Sequence, residues 1–133
     1  MTATWTPEQL QRIDGSDELE IASRRADGTL RQFVPIWVVR VDDQVYVRTW
    51  HRRTTGWFGR VLDAGRARVR VPGLEADVAV EDVGAGPGQL RSQVDAAYRG
   101  KYGRYGDGSV GQMVGDAAAA ATLRLIAEPD DQG

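Results

Sequence analysis

What most restricts this chain is how little length it leaves for its turns. Asp27-Gly28, Asp42-Asp43 and Pro72-Gly73 each stand between two stretches of alternating or apolar residues. Parallel strands need crossovers of about a dozen residues or more, so links this short join antiparallel neighbours. "DELEIASRR" sets Leu19, Ile21 and Ser23 against Glu18, Glu20 and Ala22, as a half-buried strand does. "ADGT" then predicts a two-residue hairpin turn at Asp27-Gly28. "LRQFVPIWVVRV", residues 30–41, predicts one second strand, apolar from Phe33 to Val39 and so covered on both faces. "VYVRTW" sets Val45, Val47 and Thr49 against Tyr46, Arg48 and Trp50. "RARVRV" and "EADVAVEDV" pair about Pro72-Gly73, and "TLRLIAE" is a closing strand.

Helical spacing fills the gaps. "PEQLQRID", residues 7–14, has proline at its start and Leu10 and Ile13 three apart. "TTGWFGRVLDAG" puts Trp57, Phe58, Val61 and Leu62 on one stripe, with a threonine to cap the start and Gly65 to stop the end. In "QLRSQVDAAYRGKYGRYG" Leu90, Val94, Tyr98 and Tyr102 recur every fourth residue, and "DGSVGQMVGDAAAAA" predicts a further short, tightly packed helix. The order α-β-β-β-α-β-β-α-α-β, with about six short strands and one face to cover, predicts a mainly β chain with peripheral α. Its form is an antiparallel barrel, closed or half closed, with helices packed outside.

At 133 residues the chain is one domain, expected over 1–128, with an acidic tail at 129–133 expected to be flexible. No apolar run reaches the roughly 20 residues that cross a bilayer, and the first residues lack the apolar core of a signal peptide. The absence of cysteine excludes disulfides, thiolate zinc and a cysteine nucleophile. The expected location is cytoplasmic, and no membrane partner is expected.

The formal net charge of -2 hides an uneven distribution. Eleven arginines face four acidic residues between Arg24 and Arg70, a local balance of +7, which leaves -9 for the rest. Arginine dominates throughout, with Lys101 the single lysine, so residue choice alone says little; the clustering is the signal. It is densest in "YVRTWHRRTTGWFGRVL", where Arg48, Arg52, Arg53 and Arg60 surround His51. A charge run is often only a solvated turn. Here Thr54, Thr55 and Gly56 sit at a helix start, whose unpaired N–H groups and partial positive charge favour an anion, and Arg52 and Arg53 add bidentate donors. No Walker loop and no GxSxG elbow occurs, and no metal ligand set is marked out around His51. His51 is expected at the surface or a pocket edge. Trp37 is expected in the core, while Trp50 and Trp57 are open between core and stacking platform. The arginines of "RARVRV" are expected on a solvated strand face, and Arg99 and Lys101 are the members of the last long helix expected to reach outward.

"DELEIASRRADGTLRQFVPIWVVRVDDQVYVRT" resembles the opening of the flavin- and deazaflavin-binding split β-barrels, the superfamily of pyridoxamine-phosphate oxidases and deazaflavin-dependent reductases. Over nearly the whole chain, "PIWVV", "YVRT", "DAAYRGKYG" and "TLRL" resemble a bacterial family grouped as a domain of unknown function with that barrel. The resemblance implies an antiparallel split β-barrel and a homodimer holding FMN or a deazaflavin as a small anionic cofactor. Carried over by position, Thr49, Arg52, Arg53, Thr54 and Thr55 match the phosphate region. Pro35, Ile36 and Trp37 match the strand along the ring, and Trp57 joins the expected cofactor contacts. The helix "TTGWFGRVL" departs from the superfamily's usual pattern, and such barrels can lose the cofactor. Two function classes follow: a flavin- or deazaflavin-dependent oxidoreductase, in which the cofactor does the chemistry, and a non-enzymatic module for an anionic partner such as a nucleotide or single-stranded nucleic acid. With a negative net charge, nucleic acid is the weaker of these partners.

Overall fold

The computed structural model of the chain describes residues 5–48, 56–84, 88–103, 111 and 114–127. In order these form α1 (Pro7–Asp14), β1 (Leu19–Ala22), β2 (Val34–Ile36), β3 (Val39–Val41), β4 (Gln44–Arg48), α2 (Gly56–Ala64), β5 (Arg66–Val71), β6 (Leu74–Asp82), α3 (Gly88–Tyr102), α4 (Asp116–Ala120) and β7 (Thr122–Ala127). The helix expected over 107–121 is described chiefly in its last part, as α4. The acidic tail lies outside the described residues.

Two of the three turn signals fold as two-residue links. Val41 pairs with Gln44 around Asp42-Asp43, with Asp42 at φ 53, and Val71 pairs with Leu74 around Pro72-Gly73, with Gly73 at φ 82. The hairpin at Asp27-Gly28 is wider than expected. Arg25 N–H donates to Thr29 O, leaving a three-residue loop in which Gly28 takes the left-handed conformation at φ 89. Beyond it, Arg24 bridges Leu30 while Ile21 pairs with Val34, so three residues on one strand oppose two on the other. That bulge carries Arg31.

The sheet has seven strands rather than about six, because residues 30–41 do not form one strand. β2 pairs with β1 and β3 pairs with β4, and the sheet order β2-β1-β5-β6-β7-β4-β3 puts these two consecutive strands at opposite edges. Only Trp37 and Val38 join them. Three Cα steps reach at most about 11 Å, whereas the edges of a flat seven-stranded sheet stand roughly 29 Å apart. The sheet therefore curls until its edges nearly meet, giving an antiparallel half-barrel. The expectation that residues 33–39 are covered on both faces is corrected. Phe33, Val34 and Trp37 are half-buried, Pro35 is exposed, and only Ile36, Val38 and Val39 are buried in the core. An edge strand has no second neighbour, which is also where a proline without an N–H is tolerated.

Alternation sorts the side chains into two cores. Ile21, Val45, Val47, Val69, Val78, Leu123 and Leu125 fill the barrel interior with Leu10 and Ile13 of α1 and Phe58 and Val61 of α2. The opposite face of β3 and β4 offers Val39 and Tyr46 to α3, whose Val94, Tyr98 and Tyr102 pack there at the expected four-residue spacing. Thr6 caps α1 through a reciprocal bond with Gln9, and Gly65 ends α2 at φ 72 with its N–H on Val61 O. Among the described residues no helix is long and apolar enough to cross a membrane.

Candidate functional site

The eleven clustered arginines have different fates. Arg48 ends β4 on the face turned toward α3 and is only 2% exposed. Its Nη1 meets Asp95 Oδ1 of α3 at 2.6 Å, its Nε donates to Thr122 Oγ1 at 2.8 Å, and its guanidinium lies 5.5 Å from the Tyr98 ring centre. Burial pushes the Tyr98 phenol above its ordinary pKa, and the charge of Arg48 offsets this only in part. Arg40 Nε donates to Asp42 O. Arg68 and Arg70 of β5 lie on the partly exposed face expected of them and form cross-strand ion pairs there. Arg68 reaches Glu75 at 2.5 Å and Asp77 at 3.0 Å, and Arg70 reaches Glu20 at 2.8 Å while lying 3.8 Å from the Phe33 ring centre. Burial acts to raise the Asp77 pKa, but hydrogen bonds from Arg24 and Arg68 outweigh it and hold the carboxyl below its ordinary value.

Five of the remaining arginines converge. Arg24, Arg25 and Arg31 of the first hairpin, Arg60 of α2 and Arg66 of β5 line one groove of about 410 Å³, with Asp63 as its carboxylate. Sequence order scatters these residues over more than forty positions, so no local motif marks the groove; only the unbalanced charge of the whole stretch hinted at it.

Of the expected cofactor contacts, Thr49, Arg52, Arg53, Thr54 and Thr55 lie outside the described residues, as do Trp50 and His51. In chain order they stand between the end of β4 at Arg48 and the start of α2 at Gly56, and the first turn of α2 holds no acidic residue. Pro35 is exposed on edge strand β2, opposite Glu20. Trp37 stacks on Tyr102, with ring centres 4.1 Å apart and planes within 3°. Trp57 meets Phe58 edge-on at 5.5 Å. Trp37 packs with the outer core and Trp57 with the inner one, so these two rings do not share a platform.

Lys101 does not reach outward. Its Nζ donates to Val38 O at 2.9 Å and Ile13 O at 3.1 Å. Beside it, the Tyr102 hydroxyl accepts from Val38 N–H at 3.0 Å and donates to Asp17 O at 2.5 Å. The end of α3 thus supplies partners to the backbone where the chain passes from one sheet edge to the other. Arg99 is exposed, as expected. Among the described residues no group of three or more His, Asp or Glu side chains could hold a metal ion.

A mainly β, seven-stranded antiparallel half-barrel, curled and covered by a few helices, defines the class. The chain belongs to the family described as uncharacterized protein conserved in bacteria (DUF2255), whose model matches residues 9–125. Its fold is similar to that of a conserved hypothetical protein from Mycobacterium tuberculosis, with TM-score 0.59 and 14% identity over 96% of this chain and 83% of that one. An FAD-binding protein from Mesorhizobium loti gives TM-score 0.59 and 15% identity, covering 96% and 94%. A NimC/NimA family protein from Clostridium acetobutylicum gives 0.55 and 15%, covering 89% and 79%. At these identities the similarity shows the fold alone. No curated protein sequence matches the chain.

Proposed function

We propose that this protein is a flavin- or deazaflavin-binding, oxidoreductase-like split barrel that acts as a homodimer and holds the cofactor phosphate with the loop and helix start at residues 49–57. The observation that carries this reading is the start of α2 at Gly56, directly after Arg52-Arg53-Thr54-Thr55, with no carboxylate in its first turn. Unpaired N–H groups, the positive end of the helix and two neighbouring guanidinium groups then act on one anion. Of the ring contacts expected, Pro35 is exposed on edge strand β2 and Trp37 is half-buried one strand end away, so these two rather than Trp57 support a place for a flat ring. Trp37 has one face on Tyr102, which limits how a ring could approach it. The bound ring would supply hydride chemistry, and the chain's own residues would bind and orient it and exclude water.

The support from similar structures is one of fold, among them a protein described as FAD-binding. The test is a titration of FMN and of a deazaflavin against tryptophan fluorescence. Hydrogen bonds to a charged group are worth roughly 1.5–3 kcal/mol, so Arg52→Ala or Arg53→Ala is expected to weaken binding about tenfold or more. Saturable binding by wild type and equal binding by both variants would remove the phosphate assignment.

A further inference from the structure

We infer that Asp95 of α3 is a positioning residue for the phosphate loop: through Arg48 it fixes the point from which residues 49–55 leave the sheet. This role rests on the phosphate reading of that loop, and it brings in an element, α3, that the reading itself does not use.

A loop can be no better placed than the residue it starts from. Arg48 is that residue, the last of β4, and its backbone pairs with Thr122 of β7. Its side chain returns to the same partner, Nε donating to Thr122 Oγ1 at 2.8 Å. That hydroxyl donates in turn to Ala119 O at 2.7 Å, which sets its own orientation. Asp95 Oδ1 accepts from Arg48 Nη1 at 2.6 Å, while Asp95 Oδ2 lies 3.5 Å from Arg91 Nε one turn earlier on α3. Both carboxylate oxygens are thus engaged. Strand pairing, hydroxyl and carboxylate together hold Arg48 in one arrangement.

The other end of the loop is held as firmly. α2 starts at Gly56, and Phe58 and Val61, 1% and 0% exposed, root it in the barrel core. A loop whose ends the fold already fixes loses less freedom when it closes on a ligand. Binding groups must be held to within about half an ångström, and the residues behind them do this.

The chemistry of the pair points the same way. An ion pair taken out of water is a poor source of stability, and an apolar pair of similar volume does as well or better. The pairs of Arg68, Arg70 and Arg124 lie on partly exposed faces, whereas Arg48 and Asp95 are sunk beneath α3 with side chains 1% and 15% exposed. What this pair adds is direction. A rigid guanidinium held at Nε by one element and at Nη1 by another cannot turn as an aliphatic side chain can. Arg48 is itself too buried to meet a ligand, so its effect passes through the backbone that follows it.

The test reads what the phosphate group contributes to binding. The full chain is titrated with FMN against riboflavin, and with a phosphorylated deazaflavin against its dephosphorylated form. Wild type is expected to prefer the phosphorylated member of the pair it binds. Asp95→Asn keeps the size of the side chain and an acceptor for Arg48 but removes the charge. It is expected to lower that preference about tenfold, while the phosphate-free form binds as before. The double variant Arg48→Met/Asp95→Leu guards against a mere failure to fold, since an apolar pair should support the sheet. It is expected to melt near wild type and to lose the preference as well. Val78→Ala loosens the barrel interior without touching the pair, and should keep the preference. A wild type with no preference for phosphate would overturn the phosphate loop, and this role with it. A wild-type preference that survives in both Asp95 variants would overturn the positioning role alone. A preference lost equally in Val78→Ala would make the effect one of general stability, and the role would fall on that result too.

Discussion

Arg48 shows how much one side chain's meaning depends on what covers it. The alternation of "VYVRTW" places it opposite Val45 and Val47, and the structure agrees. A strand's outer face usually faces water, however, and nothing local shows that α3 will lie across this one. The result is an ion pair with Asp95, with the arginine side chain 1% exposed. Removing one partner of a buried pair strands the other charge, which costs about 3–5 kcal/mol. Asp95→Ala is therefore expected to destabilise the fold by about that much in urea unfolding. Replacing both residues with apolar side chains of similar volume should cost far less. A loss under about 1 kcal/mol for Asp95→Ala would show that water reaches the pair. Lys101 makes the same point in reverse: a lone lysine on an amphipathic helix reads as exposed, yet it is bound by two carbonyls from distant segments.

At the level of elements, α1, α2, α3 and the faces of β1, β4 and β5 were legible, because each follows from a local period or a local cap. The break in residues 30–41 was not. "VPIWVVRV" is apolar enough to read as one strand, and the groups that interrupt it come from a helix 64 positions further on, through Tyr102. Arg52, Arg53 and the threonines after them gave the clearest local signal for a site; they lie outside the described residues, and α2 is described from Gly56. The arginine groove was not legible as a site, since three separate elements build it. Tyr102→Phe tests the α3 contact directly. It leaves the stack on Trp37 available but removes the acceptor for the Val38 N–H and the donor to Asp17 O. A buried group left without its partner costs about 1–3 kcal/mol, and chemical denaturation should show a loss of that order.

For the whole molecule, the curl leaves two short edge strands, β2 and β3, each of three residues. Short strands and Pro35 guard these edges against pairing with another strand. The expected homodimer would instead cover the half-buried apolar residues Phe33, Val34 and Trp37 beside Pro35, to be checked by sedimentation velocity across a range of concentrations. A monomer at the highest concentration would count against the dimer.

The crossing at Trp37-Val38 also makes one amide a reporter. In an ordinary sheet a buried strand N–H is shielded by its neighbouring strand, and its hydrogen exchange follows the opening of that ladder. The Val38 N–H is shielded instead by a phenol oxygen at the end of α3. Its exchange should therefore follow the lifting of that helix end, even while Val39 and Tyr46 stay paired and protected. Amide exchange followed by NMR is expected to show Val38 exchanging faster than Tyr46. Equal rates would mean that the helix end and the sheet open as one unit.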